Sequence, residues 1–153
     1  MKLITLLLPI VLCWLHVSGQ AKFNRLCSTN PKNSARSCDR FGCGHYGAKR
    51  VNGKHRGLDI TCSDWAKVYA PFDLILRGRS RPYGNKNIIN DGVTIRGQDL
   101  CVRLFYIRPV RFSGWVRKGQ RLGIMLPMQK IYPGITSHIH LQMCDWSDPT
   151  KYV

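Results

Sequence analysis

His55-Arg-Gly-Leu-Asp59 and His138-Ile-His140 are the two stretches whose residue types can hold a metal ion. On a strand, period-two alternation puts His138 and His140 on one face and Ile139 and Leu141 on the other. His55 and Asp59 are four apart, which is same-side in a strand and in a helix alike, so each pair can converge on one point. Imidazole nitrogen and carboxylate oxygen are ordinary zinc ligands at roughly 2.0 to 2.2 Å, and three protein ligands leave a fourth position open, as catalytic sites do. A lone His-x-His is weak evidence, because surface histidines pair by chance and buried ones are usually just hydrogen-bonded. Three of the four histidines beyond His16 nevertheless fall in these two stretches, which favours a metal, and other first-row metals of similar ligand preference also suit the set. All eight acidic residues are aspartates. The absence of glutamate excludes the H-E-x-x-H zinc protease signature and every Glu-based acid or base.

The elements that must position these residues follow a 19-residue leader. Lys2 gives a short positive start, Leu3 to Leu15 is an almost unbroken apolar run, and Val17-Ser18-Gly19 offers a small-residue cleavage site. The run is shorter than the roughly 20 residues a membrane span needs, so residues 1–19 read as a secretory signal and 20–153 as one secreted domain without a span. Cys13 leaves with the signal. The remaining Cys27, Cys38, Cys43, Cys62, Cys101 and Cys144 form an even set in an oxidising compartment, hence three disulfides with 15 pairings open. Zinc ligation by thiols is excluded, since no second pair matches Cys38 and Cys43 at finger spacing.

Residues 20 to 50, rich in Ser, Asn, Gly and Lys with little apolar periodicity, read as an irregular arm pinned by disulfides. From Val68 onward, short β-branched and aromatic runs recur between turn signals: Val68 to Ala70, Phe72 to Leu76, Gly92 to Ile95, Cys101 to Val110, Gln120 to Leu126 and Ser137 to Met143. The expected fold is therefore mainly β. Asn90-Asp91-Gly92 and the stretch from Val116 to Gly123 are turn candidates. Helix is a minor component, with Ser63 to Lys67 and Ser37 to Phe41 the places for a turn or two.

Formal net charge is +16, of which Lys2 contributes one, leaving +15 on the mature chain. Eleven basic residues lie between Arg77 and Arg121, against only Asp91 and Asp99. Such an excess destabilises the compact state by self-repulsion, so it points to polyanions: heparan sulfate, nucleic acid, anionic lipid or bacterial wall polymers.

The order His-x-x-x-Asp, a β-rich middle, Val-x-x-Gly-x-x-x-Gly at Val116 to Gly123 and then His-x-His resembles the lysostaphin/LytM zinc endopeptidases over roughly residues 50 to 143. The six cysteines, Cys101-Val-Arg-Leu-Phe-Tyr-Ile, Tyr132-Pro-Gly-Ile and the ending Cys144-Asp-Trp-Ser-Asp-Pro-Thr extend the likeness. Together they resemble a vertebrate family of secreted, cytokine-like chemotaxins with that fold. The resemblance implies one zinc ion on His55, Asp59 and His140, and disulfides Cys27–Cys62, Cys38–Cys43 and Cys101–Cys144. It places His138 beside the metal rather than on it. The peptidases use a second such histidine in a Tyr-x-His-Leu strand; here the run is Leu104-Phe105-Tyr106-Ile107, so Tyr106 stands in its place.

Peptide hydrolysis at zinc also needs a proton shuttle and charge stabilisation. Tyrosine, with an ordinary pKa of about 10, can donate a hydrogen bond but is a poor base at neutral pH, and each acid-base group lost removes about 10² to 10⁴ in rate. Tyr106 also reads as a strand aromatic packed in the core. The expectation is thus a non-enzymatic signalling monomer that attracts neutrophils and binds receptors on leukocytes or liver cells, with zinc as a staple and His138 vestigial. The alternative is a secreted zinc endopeptidase acting on bacterial cell walls. Glycosaminoglycan storage is a third, weaker reading that leaves the metal site unexplained.

Overall fold

The computed structural model describes residues 22–153, so the expected signal segment and Cys13 lie outside the described residues. Two antiparallel sheets and a short ribbon make up the body. The ribbon pairs β1 (Lys49–Arg50) with β2 (Gly53–Lys54). β3 (Leu58–Thr61) and β4 (Lys67–Tyr69) then enter different sheets, followed by β5 (Leu74–Arg79), β6 (Gly92–Gly97), β7 (Leu100–Phe105), β8 (Ile107–Pro109), β9 (Ser113–Val116) and β10 (Arg121–Met125). A one-turn helix, α1 (Met128–Ile131), precedes β11 (His138–Met143). The six-stranded sheet runs β3-β11-β7-β6-β5-β9 and the three-stranded sheet β4-β10-β8.

Alternation builds the core. Leu58, Ile60, Leu74, Leu76, Val93, Ile95, Val102, Leu104, Ile139 and Leu141 are buried along the six-stranded sheet, and they join Val68, Ile107, Leu122 and Met125 of the smaller one. Each inward set leaves its neighbours facing the other way. Asp59, His138 and His140 consequently share the outward side, where the functional cluster assembles.

Several local expectations need correction. The run Cys101 to Val110 is not one strand: it breaks at Tyr106, which has φ 68° and carries the chain from β7 in one sheet to β8 in the other. Backbone bonds fix this left-handed residue on both sides, Tyr106 N donating to Asp91 O and Leu126 N to Tyr106 O. The expected turn after Val116 is present, Gln120 N donating to Arg117 O at 3.0 Å, and it carries the chain from β9 into β10 of the other sheet. Asn90-Asp91 closes a long β5–β6 connection rather than a tight hairpin, while the two-residue hairpin is Gln98-Asp99, both at positive φ as a type I′ turn requires. Ser63 to Ala66 form a turn before Lys67 opens β4, and Ser37 to Phe41 hold a turn without helix; the helical turn falls at Met128, whose N–H donates to Asp64 Oδ1.

From residue 22 to Ala48 the arm is irregular, with isolated bridges such as Ala35 to Ile60 on the free edge of β3, but its expected last residues, Lys49 and Arg50, form β1. Disulfides join Cys27 to Cys62, Cys38 to Cys43 and Cys101 to Cys144. Cys38–Cys43 closes the turn that presents the Gly42 carbonyl to Arg36 Nη1. A Cys38→Ser/Cys43→Ser double variant is expected to lose about 2 kcal/mol, since the closed loop is short. Metal retention should fall with it, read by chelator competition beside urea unfolding. Unchanged retention would show that Arg36 holds its place without the turn.

Candidate metal centre

Asp59 sits at the junction of three elements. Its backbone lies opposite His140 in the β3–β11 register, and its free edge bonds the arm, Arg36 N donating to Asp59 O at 2.7 Å and Asp59 N to Gly44 O at 2.9 Å. His55 arrives from the ribbon, its backbone N–H donating to Ala48 O and its carbonyl accepting from Gly47 N. The side chains meet tightly: His55 Nε2 is 3.1 Å from Asp59 Oδ1, His140 Nδ1 is 3.0 Å from the same oxygen, and the two nitrogens are 3.0 Å apart.

Hydrogen counting explains what this triangle wants. The His45 carbonyl lies 2.9 Å from His55 Nδ1 and can only accept, so the proton sits there and the lone pair of Nε2 aims into the triangle. His140 Nε2 has the Gln142 Oε1 acceptor at 3.4 Å. At most one proton, on His140 Nδ1, is left to serve three close contacts between acceptor atoms. A divalent cation satisfies all three, and the edges are only slightly shorter than the roughly 3.3 Å separating ligands bonded tetrahedrally at 2.0 to 2.1 Å. The donor set therefore fits a metal, and His55, Asp59 and His140 are the group that offers it.

A second layer of contacts fixes the aspartate. Arg36 grips Oδ2 with Nη2 at 3.0 Å and Nε at 3.2 Å, and both side chains are almost fully buried. Arg36 Nη1 also pairs with Asp39 Oδ2 at 2.9 Å, and Asp39 accepts from the backbone of Phe41 and Thr136, tying the arm to the entry of β11. Burial alone would raise the Asp59 pKa, but the imidazoles of His140, His55 and His138 gathered around it outweigh burial and hold the carboxyl far below its usual range. It remains an anion, the form a metal needs.

Glycine makes room for the cluster. A Cβ on Gly57 would stand 2.5 Å from His140 Cε1 and Nε2 and 2.7 Å from Leu141 O. One on Gly44 would press on Arg36 and Asp59 Cβ. Neither position is compatible with a side chain while the imidazole and carboxylate stay where they are.

His138 stands apart from the triangle, its Nε2 3.5 Å from Asp59 Oδ2 and its Nδ1 2.7 Å from Thr136 O. Burial lowers its pKa, favouring the neutral ring. Tyr106 is not an aromatic sealed in the core: its ring meets His138 edge-on at 5.7 Å, and its hydroxyl is 3.0 Å from that of Tyr83. Burial raises the pKa of both phenols. These groups, with Phe41, Tyr132 and Met128, line a cleft of about 260 Å³ over the triangle. The sequence reading named the three convergent residues, His138 and Tyr106. It missed Arg36, Tyr83, Gly44 and Gly57, of which only Gly57 carried a signal, by its place between His55 and Asp59. His45 contributes a carbonyl, not its ring.

No protein-family model matches the chain. Leukocyte cell-derived chemotaxin-2 of Mus musculus is 49% identical over 128 residues, which cover 84% of this chain and 85% of the mouse protein. The chain belongs to the leukocyte cell-derived chemotaxin-2 family. Myeloid protein 1 of Gallus gallus is 53% identical over 129 residues, but the matched part covers only 40% of that longer protein. Among solved structures, Helicobacter pylori Csd3 superposes with TM-score 0.59 at 15% identity, covering 87% of this chain and a third (33%) of Csd3. That likeness is one of fold. This chemotaxin-2 family member thus carries its His-Asp-His cluster on a mainly β framework that shares its fold with part of Csd3.

Proposed function

We propose that the protein is a secreted, zinc-holding signalling factor of the chemotaxin-2 family that attracts neutrophils and engages a receptor on leukocytes or liver cells, and that it does not cleave peptides. Residues 1–19 act as the secretory signal and 20–153 as one zinc-binding domain. Three disulfides and the absence, among the described residues, of a helix long and apolar enough to cross a membrane are consistent with that. His55, Asp59 and His140 hold the zinc. Bound there, the ion supplies a crosslink between the His55 loop, β3 and β11, and Lewis acidity toward any group in the cleft.

The observation that carries the non-catalytic reading is Tyr106. It faces His138 across the cleft where hydrolysis would need a second imidazole. Its phenol keeps its proton at neutral pH, because burial raises its pKa, and its hydroxyl is engaged with Tyr83. Such a group can donate but cannot accept the proton that a nucleophilic water must lose. His138, neutral and anchored to Thr136 O, is left as the one base beside the cluster among the lining residues.

Migration of neutrophils across a filter toward the purified, zinc-loaded protein tests the signalling half. Directed migration that persists in a His138→Ala variant is the expected result. Failure of the wild type to attract cells, or loss of attraction on removing His138 alone, would move the function toward catalysis.

A further inference from the structure

The outward face of the six-stranded sheet carries cations that the fold leaves unneutralised. Register sets their places: Trp115 of β9 lies opposite Ile75 of β5, Ile75 opposite Arg96 of β6, and Arg96 opposite Cys101 of β7. One rung along, Ser113 lies opposite Arg77, and Thr94 opposite Arg103. The alternating partners Leu74, Leu76, Val93, Ile95, Val102 and Leu104 all point into the core. Arg77, Arg96 and Arg103 therefore leave one side of three adjacent strands, and with strands about 4.8 Å apart their backbones fall within about 10 Å.

None of the three arginines makes an ion pair or side-chain hydrogen bond among the described residues, whereas Arg36, Arg50 and Arg79 all have carboxylate neighbours. Asp91 is taken by Arg79 at 3.3 Å. Asp99 and Asp145 line the hollow beside Cys101 together with Arg96, but among the described residues neither forms an ion pair with it, and neither lines that hollow with Arg77 or Arg103. Like charges grouped on a sheet face repel and cost stability, so the arrangement is incomplete without an anion. Beside the cations, Trp115 is 74% exposed and Ile75 half-buried, giving an apolar strip on the same face.

We propose that this face binds a sulfated polysaccharide, with Arg77, Arg96 and Arg103 holding successive sulfate groups and Trp115 stacking on a sugar ring. The guanidinium fork matches a tetrahedral oxyanion. A sheet face with cations on neighbouring strands suits an extended chain carrying anions at short, regular intervals. Duplex nucleic acid is read by an element that enters a groove, and an anionic bilayer engages interfacial helices with a wide apolar face. Neither matches this surface. The site needs an extracellular setting and does not depend on the metal centre or on whether it catalyses.

Titration of the zinc-loaded protein with a size-defined heparin octasaccharide tests it, with desulfated octasaccharide, duplex DNA and phosphatidylserine vesicles as comparators. The variant Arg77→Ser/Arg96→Ser/Arg103→Ser is expected to bind the octasaccharide about tenfold more weakly or worse. Its affinity should also fall less steeply with salt, by about 0.7 to 0.9 of log slope per lost contact if the polymer behaves as a polyelectrolyte. Trp115→Ala should bind several-fold more weakly with an unchanged salt slope, and desulfated sugar should bind neither protein. Zinc content and thermal midpoint should stay at wild-type values, which separates failure here from failure of the metal reading. Equal weakening by the charge-matched control Lys32→Ser/Lys49→Ser/Lys54→Ser would overturn the proposal in favour of net charge alone. Octasaccharide binding that ignores the arginine variant, or a face that serves only DNA or vesicles, would overturn it as well.

Discussion

Replacing Asp59 by asparagine is expected to abolish high-affinity zinc binding and to cost the fold about 3 to 5 kcal/mol, the usual penalty for breaking a buried ion pair from one side. Both effects come from one atom pair. Oδ1 is the shared corner of the ligand triangle, and Oδ2 is the partner of the buried Arg36 guanidinium. An amide turned with its NH₂ toward Arg36 sets donor against donor; turned the other way it directs hydrogens at the metal position. Stability against pH gives a second readout in metal-free protein. The folded Asp59 carboxyl lies below its unfolded value of about 3.9, so its contribution is present above that pH and is lost as acid is added below it. Urea unfolding of metal-free wild type should weaken as pH drops from about 4, and the Asp59→Asn variant should lack that part of the decline. Full zinc stoichiometry with unchanged stability in Asp59→Asn would contradict the assignment.

The second large effect comes from a residue with no polar atom in its side chain. Gly57→Ala should lower zinc affinity by about 100-fold or more, at the upper end of what displacing a supporting contact does. The added methyl cannot coexist with the His140 imidazole, and on the other side it meets the Leu141 carbonyl in the central strand of the region. The ring is the movable partner, and moving it takes Nδ1 out of the triangle. Unlike Asp59→Asn, this variant keeps Asp59 paired to Arg36, so its loss of stability should be the smaller of the two. Metal content by mass spectrometry after dialysis against a weak chelator reads the difference. A Gly57→Ala protein that retains one zinc would show that the site tolerates a shifted ring.

What could be read from the residues and what could not divide along physical lines. Strand alternation put His138 and His140 opposite Ile139 and Leu141 without any tertiary knowledge, and the same rule marked the β-rich body from Val68 onward. Convergence of His55 with them was not a local property. It depends on β3 lying beside β11 and on the ribbon that feeds His55 in, pairings that no periodicity specifies. Arg36 was invisible because its role arises where an irregular arm crosses the edge of β3, in a segment with no pattern to read. Tyr106 was placed at the site by its position in the run Leu104-Phe105-Tyr106-Ile107, but the break in the strand there was hidden because Leu104, Phe105 and Ile107 on either side continue a strand-like pattern. Only the handedness of its backbone, set by bonds to Asp91 and Leu126, shows that the chain changes sheets there and turns the phenol toward the cleft.

Tyr106 is also where the account is most exposed to test. Purified protein with its metal quantified should be incubated with oligoglycine and with bacterial peptidoglycan, beside a Tyr106→His variant and a His138→Ala variant. The expected result is one zinc per chain and no cleavage by the wild type, at zinc-saturating concentration and neutral pH. Cleavage by the wild type that disappears on replacing His138 would contradict the central claim, and would mean that His138 and a protonated Tyr106 suffice for hydrolysis.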